Sequence, residues 1–286
     1  MNKIGCVLET MVGRLWFGEQ QGGEVVQKEQ LAELVKLGFD YYSNGKNKEA
    51  IDYFKQALKV CERADIYNYL GMVYIRSGDY AKAVNAYKKA LDIDRSFIPA
   101  YYNLGITLYY GRNYEQAVKI FDDISRIEGL EPFLLANAHN DKGCALNRKG
   151  SVEAAEKSFE AALVLDDTFV RSYVNLGNLY CNKGKFDDAK VKYNKAIELD
   201  EKCAAAYNGL GVIAIEEGDL DKAGELFDKA LAFDNRCQAA HINNELLKKR
   251  KEAREQIAKE DRQEQLKKEA QAKQDKTVKS DQAEKE

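Results

Sequence analysis

One amino acid returns at a nearly fixed step, and that step restricts the fold of this 286-residue chain more than any other feature. Glycine stands at Gly38, Gly71, Gly105, Gly143, Gly177 and Gly211, with steps of 33, 34, 38, 34 and 34 residues. Twelve residues after each comes alanine: Ala50, Ala83, Ala117, Ala155, Ala189 and Ala223. Four further on is an aromatic ring every time: Phe54, Tyr87, Phe121, Phe159, Tyr193 and Phe227. Three beyond that stands Ala57, Ala90, Ala162, Ala196 or Ala230, with Ile124 the exception. Glycine is only 20 of 286 residues, so six hits in register are not chance. A period of this size marks stacked supersecondary units, each too small to bury its own apolar face.

Each unit reads as two antiparallel helices. Large residues four before, one before and three after the glycine (Tyr67, Leu70, Tyr74; Tyr173, Leu176, Tyr180) make a stripe at helical spacing. A second glycine follows seven residues later, at Gly45, Gly78, Gly150, Gly184 and Gly218, where a helix end needs positive φ. The third unit moves it one residue early, to Gly111. The second helix then carries alanine, aromatic and alanine on one face, the small residues allowing close approach and the ring filling the wedge. Only two prolines occur in the chain, which agrees with helix throughout.

This small, small, aromatic, small register resembles the tetratricopeptide repeat, from Leu31 to Cys237. The resemblance implies an all-α chain, a right-handed superhelical α-solenoid of about six helix-turn-helix repeats. The units span 31–64, 64–97, 98–131, 136–169, 170–203 and 204–237. The proline that the family often carries near the end of each unit is replaced by Glu62, Arg95, Gly129, Asp167, Glu201 and Asn235. Without it the helices are expected to run on into one another more freely. The third-to-fourth junction is four residues longer and holds Pro132, Phe133, Leu134 and Leu135, which predicts a longer loop or stretched helix and a local change of superhelix pitch.

Residues 1–30 precede the repeats. Within them Ile4, Val7, Leu8, Met11, Val12, Leu15 and Trp16 follow amphipathic helical spacing, and Gly18, Gly22 and Gly23 loosen the chain afterwards. Such a helix can cap the first repeat, fill a groove of a partner or of another copy, or touch a membrane surface through residues 3–17. At the other end Ala239, Ala240, Ile242, Leu246 and Leu247 continue an apolar face, predicting a capping helix over 238–250. Residues 251–286 read as a highly charged tail, helical or disordered. From 245 to 286 there are 13 Lys+Arg and 11 Asp+Glu, net +2, which leaves −5 on residues 1–244.

By the resemblance, the first helix of each unit lines a concave groove that binds a peptide or helix of a partner. Its inward residues include Val35, Phe39, Tyr42, Asn68, Met72, Ile75, Tyr102, Ile106 and Tyr109 in the first half. The second half offers Asn140, Cys144, Asn147, Arg148, Arg171, Asn178, Cys181, Asn182 and Asn208. The first half is thus aromatic and apolar, the second amide-rich. Asparagine recurs three residues before the glycine (Asn68, Asn140, Asn208) or two before it (Asn103, Asn175). A row of amides can pair with the backbone of an extended peptide, as in glycosyltransferase-associated members of the family, or serve local hydrogen bonding. The lysine, arginine and asparagine set with which one subclass grips the terminal carboxylate of heat-shock chaperones is missing: Val35, Phe39, Pro99 and Asn103 stand in its key places.

Other classes fit poorly. The net charge of −3 opposes nucleic-acid binding, and the sequence has no run of 18 apolar residues to span a membrane. Glu9 interrupts the only apolar stretch near the start, which argues against a secretory signal. Cys6, Cys61, Cys144, Cys181, Cys203 and Cys237 are widely spaced, as expected of a reducing cytoplasm. The sequence calls for no cofactor and no metal, and GxSxG, HExxH and P-loop motifs are missing from it. His139 reads as a packing residue. The expectation is a non-catalytic cytoplasmic scaffold or adaptor. The alternative is a self-assembling membrane-surface coat or complex-assembly factor, homo-oligomeric through residues 3–17.

Overall fold

The computed structural model describes residues 22–283, with side chains from residue 27 to residue 269. Among the described residues are thirteen α-helices and no strand. They gather into two compact units that divide between Glu128 and Gly129. In unit 1, α1 (Gly22–Ser43) pairs with α2 (Asn47–Val60), α3 (Ala64–Arg76) with α4 (Tyr80–Ile93), and α5 (Ile98–Tyr110) with α6 (Tyr114–Ser125). In unit 2, α7 (Pro132–Lys149) pairs with α8 (Val152–Leu165), α9 (Val170–Asn182) with α10 (Phe186–Leu199), and α11 (Ala204–Glu216) with α12 (Leu220–Phe233). The long α13 (Gln238–Ala283) follows and packs on α11 and α12. Six helix pairs stand where the glycine period places six repeats.

The repeating residues explain the pairing. Phe54, Tyr87, Phe121, Phe159, Tyr193 and Phe227 are all 1% exposed or less. Each ring lies against the glycine of its own pair. A methyl group on Gly143 would stand 2.5 Å from the Phe159 ring, closer than carbon atoms come, so only glycine admits the ring. Ala50, Ala83, Ala117, Ala155, Ala189 and Ala223 are fully buried and let the two helices close on one another. Within each unit the residue five before the glycine is also sealed between successive pairs, as at Ile66, Ala100, Ser172 and Ala206. Burying one such ring contributes about 2–3 kcal/mol.

Two expectations about the turns are corrected. The helices do not run on into one another where proline is missing. Asp94, Asp166, Asp200 and Asp234 take extended backbone at the ends of α4, α8, α10 and α12. Each carboxylate accepts the N–H two residues ahead, from Ser96 (2.8 Å), Thr168, Lys202 and Arg236 (3.0 Å each). This aspartate turn stops the helix by drawing the N–H of the residue two ahead onto the side chain, whereas proline would have removed the N–H of the residue between them. In the third pair, the early glycine does not move the turn. Gly111 keeps φ −72° and Arg112 takes the left-handed conformation, φ 61°, that glycine occupies in the other five pairs.

At the third-to-fourth junction both the longer loop and the stretched helix form: residues 126–131 connect the helices, against 94–97, 166–169 and 200–203 elsewhere. Helix α7 has 18 residues against 13 in α9 and α11, and begins on Pro132, whose missing N–H costs nothing in a first turn. The start of α13 behaves as the first helix of a seventh pair. Ala240 is fully buried as its counterparts are, and Leu247 packs with Phe227, Ala223 and Ala214. Glu245, exposed, stands 34 residues after Gly211, where a glycine would have received a second helix, and so the stack is capped. Beyond Lys251 every residue to Glu269 is exposed, and pairs such as Lys268–Glu264 (2.7 Å) support a solvated helix. Cap and tail are therefore one helix. The amphipathic segment Ile4–Trp16, with each use considered for it, lies outside the described residues. No described helix is long and apolar enough to cross a membrane.

Candidate functional site

The inner faces of the two units are built from equivalent helices and differ in what they leave open. In unit 1 the aromatic side chains pack on one another. The Phe39 ring meets Tyr69 at 4.5 Å and Phe54 at 5.5 Å, both edge-on. Tyr42 lies under the Arg76 guanidinium, 3.7 Å from its ring centre, and its carbonyl accepts a bond from the same arginine. Tyr109 meets Tyr110 and Tyr114 edge-on at 5.4 and 5.7 Å. Val35, Phe39, Tyr42, Met72, Ile75, Tyr102, Ile106 and Tyr109 are all half-buried, while Tyr110 stays 74% exposed.

Unit 2 holds a recess of about 650 Å³ among α7, α9 and α11. Asn147, Arg148, Asn175, Asn178, Asn182 and Asn208 line it, with Cys144, Cys181 and Val212. Behind them are the Phe159 and Tyr193 rings, and Gly209, which stands where any larger residue would strike Tyr193. Arg148 and Asn178 are exposed at the lip. Arg171 is exposed too, and its guanidinium donates to the side-chain oxygen of Asn137.

The asparagines divide into two jobs. Asn103 Nδ2 donates to Asn68 Oδ1 (2.8 Å), Asn175 Nδ2 to Asn140 Oδ1 (2.8 Å), and Asn243 Nδ2 to Asn208 Oδ1 (2.9 Å). Each bond pins one first helix to the next. Asn68 and Asn140 are 0% and 2% exposed, so these two face no ligand, contrary to their place in the expected groove. The alternation of asparagine between two helix registers is thus the geometry of a bonded pair, always 35 residues apart. Asn140 also accepts from Ser172 Oγ (3.2 Å) and donates to Asp141 (3.0 Å).

These pairings fix which way the remaining amides point. The Asn208 oxygen is held by Asn243, and the Asn178 oxygen accepts from the Tyr193 hydroxyl (2.7 Å), so both present Nδ2 hydrogens to the recess. Asn175 spends its donors on Asn140 and on Cys144 Sγ (3.4 Å) and presents its oxygen. The thiols are poor nucleophiles. Burial pushes Cys144 up to about 12, the nearby Asp141 carboxylate adding to it, and burial also raises Cys181. Burial raises the Tyr193 phenol as well, keeping it a donor.

Sequence reasoning missed Tyr193, Gly209, Asn137 and Asn243. Signals for three of them exist: tyrosine where four of the six rings are phenylalanine, a second glycine two residues before Gly211, and an asparagine 35 residues after Asn208.

Comparison with known proteins agrees with this geometry. Models of the tetratricopeptide repeat match residues 30–96, 74–132, 136–168 and 174–236. The chain belongs to the tetratricopeptide repeat family, and is a protein-interaction scaffold of the α-solenoid class. It is 22% identical over 180 residues to the human protein O-mannosyl-transferase TMTC1, covering 51% of this chain and 20% of that protein. It is 34% identical over 108 residues to the peroxisomal targeting signal receptor of Candida albicans, covering 36% of this chain and 18% of the receptor. The chain thus spans about a fifth of the length of these curated relatives. Among solved structures, that of pilF from Pseudomonas aeruginosa superposes with a TM-score of 0.59 at 19% identity, over 75% of this chain and 96% of that one.

Proposed function

We propose that the chain is a non-catalytic adaptor that holds an extended peptide segment of a partner protein in the unit 2 recess. The orientation of the amides carries this reading. Asn178 and Asn208 offer donors and Asn175 an acceptor, all fixed by partners behind them, and an extended backbone offers both complements. Fixed polar groups lose little entropy on binding, which favours a ligand read through its backbone. The raised Cys144 thiol is unsuited to nucleophilic catalysis, which supports the non-catalytic part. The Candida albicans relative is by name a receptor for a targeting signal, and this too supports a binding role.

A photo-crosslinking residue placed at Asn182, on the recess lip, tests the reading in the cell of origin. Its adduct with a partner is expected to vanish when Asn178→Ala and Asn208→Ala are added. Adducts formed only from the same residue placed at Ile106 would move the site to unit 1 and overturn the assignment.

A further inference from the structure

Three exposed aliphatic side chains stand on one side of α13: Ile242 (65% exposed), Leu246 (46%) and Ile257 (59%). At about 100° of rotation per residue they fall within about 60° of arc. Lys249 and Arg250, both exposed, flank that arc. The packed side of the helix, marked by the fully buried Ala240 and by Leu247, points elsewhere. No described residue covers the aliphatic arc, and the other exposed large aliphatic side chain of the described helix, Leu266, stands on a different side. Arg250 reaches Glu216 only at 3.8 Å with both groups about half exposed, so a closer carboxylate can displace it.

We propose that this arc is a docking ledge for a partner segment that carries carboxylates together with two aliphatic side chains one helical turn apart and a third about 16 Å further on. The aliphatic residues would cover Ile242, Leu246 and Ile257, and the carboxylates would meet Lys249 and Arg250. Charge selects an acidic segment, since like charges across such a contact are repelled. An anionic membrane suits the arc less well: residues 1–244 carry −5 and would be repelled by a lipid plane. The ledge also begins beside Asn243, whose bond to Asn208 leads into the recess, a place open to a narrow segment. Binding on the ledge does not require binding in the recess.

Selection of a random 12-residue phage-displayed peptide library on the full chain tests the ledge. Enriched peptides are expected to combine leucine or isoleucine with aspartate or glutamate. Their affinity should fall tenfold or more on Ile242→Ser/Leu246→Ser and on Lys249→Glu/Arg250→Glu. It should stay within twofold on Asn178→Ala/Asn182→Ala, which alters the recess and leaves the Asn208–Asn243 bond to α13 in place. All these side chains are exposed or line open space, and circular dichroism of each variant checks that the helices remain. The proposal is overturned if no such peptides emerge, or if they lose affinity only on the asparagine variant. It is equally overturned if Leu246→Ser dissociates a dimer seen in light scattering. Pelleting of the wild type, but not of Leu246→Ser, with phosphatidylserine vesicles would also overturn it.

Discussion

Unit 1 and unit 2 use the same helix pair and spend their inner faces differently. In unit 1 Phe39, Tyr69 and Phe54 fill one another's edges, and Arg76 covers Tyr42. In unit 2 short amides replace the rings and a recess opens. An aromatic inner face looks like the better binding surface in sequence, because rings carry most interface energy. Folding uses that energy where neighbouring rings reach each other, as Phe39, Tyr69 and Phe54 do, while Tyr110 meets Tyr109 and stays exposed. The amides of unit 2 are too short to fill the same space, so they stay open to a ligand.

The largest test of this contrast concerns what the units share. Phe121→Ala in unit 1 and Tyr193→Ala in unit 2 each remove a ring packed on a glycine, and each is expected to cost about 3–5 kcal/mol in urea unfolding. Near-equal losses would show that the pairs are built alike whatever their inner faces carry. A Tyr193→Ala loss below about 1 kcal/mol would break the equivalence. Next come the buried pins. Asn68→Ala and Asn140→Ala each leave a donor of the following helix without its acceptor, at an expected cost of about 1–3 kcal/mol. Asn103 and Asn175 are half-buried and can recover water, which places the loss of the shared bond toward the lower end. Asn140→Ala should cost more than Asn68→Ala, since it also takes the partner of the buried Ser172 hydroxyl and of Asp141.

Much of this was legible in the chain before any coordinates. The glycine, alanine and ring period specified six helix pairs, because a ring packed on a glycine admits few substitutes. The cap was legible too, from the apolar run at Ala240 to Leu247. The stops were not: the search was for proline, while Asp94, Asp166, Asp200 and Asp234 did the same work with a side-chain acceptor. Nor was the division of the asparagines. Whether Asn68 or Asn208 meets a ligand depends on which partner holds its other end and on burial, and both are set by neighbouring helices. Tyr193 stayed hidden because its ring fits the repeat and only its hydroxyl, bonded to Asn178, serves the recess.

Ligand binding separates the units next. For a peptide that crosslinks to Asn182, Asn178→Ala with Asn208→Ala is expected to weaken affinity about tenfold, two hydrogen bonds at about 0.5–1.5 kcal/mol each, beside a stability loss of about 1–3 kcal/mol because Asn243 and Tyr193 lose their acceptors. Phe39→Ala with Tyr109→Ala should lower stability and leave the affinity of that peptide in place. Isothermal titration of the two variants beside their urea curves reads both quantities. An affinity loss from the unit 1 variant would erase the contrast.

The smallest effect lies at one turn. Unit 2 makes all three of its turns within helix pairs with glycine in the left-handed conformation, at Gly150, Gly184 and Gly218, whereas the last turn of unit 1 uses Arg112 at φ 61°. A side chain in that conformation costs about 1–2 kcal/mol, from the clash of its Cβ with the following carbonyl. Arg112→Gly relieves the clash and gives back about 0.5–1 kcal/mol through the greater freedom of glycine in the unfolded chain. The net expectation is a gain of about 0.5–1 kcal/mol, seen as a small rise in urea midpoint. The reciprocal change, Gly78→Arg in the neighbouring pair, imposes the same conformation on a side chain with open space around it and should cost about 0.5–1 kcal/mol by the same difference. If Arg112→Gly lowered stability instead, the arginine would have to gain more from its contacts than the turn loses, and the last pair of unit 1 would owe its register to that side chain.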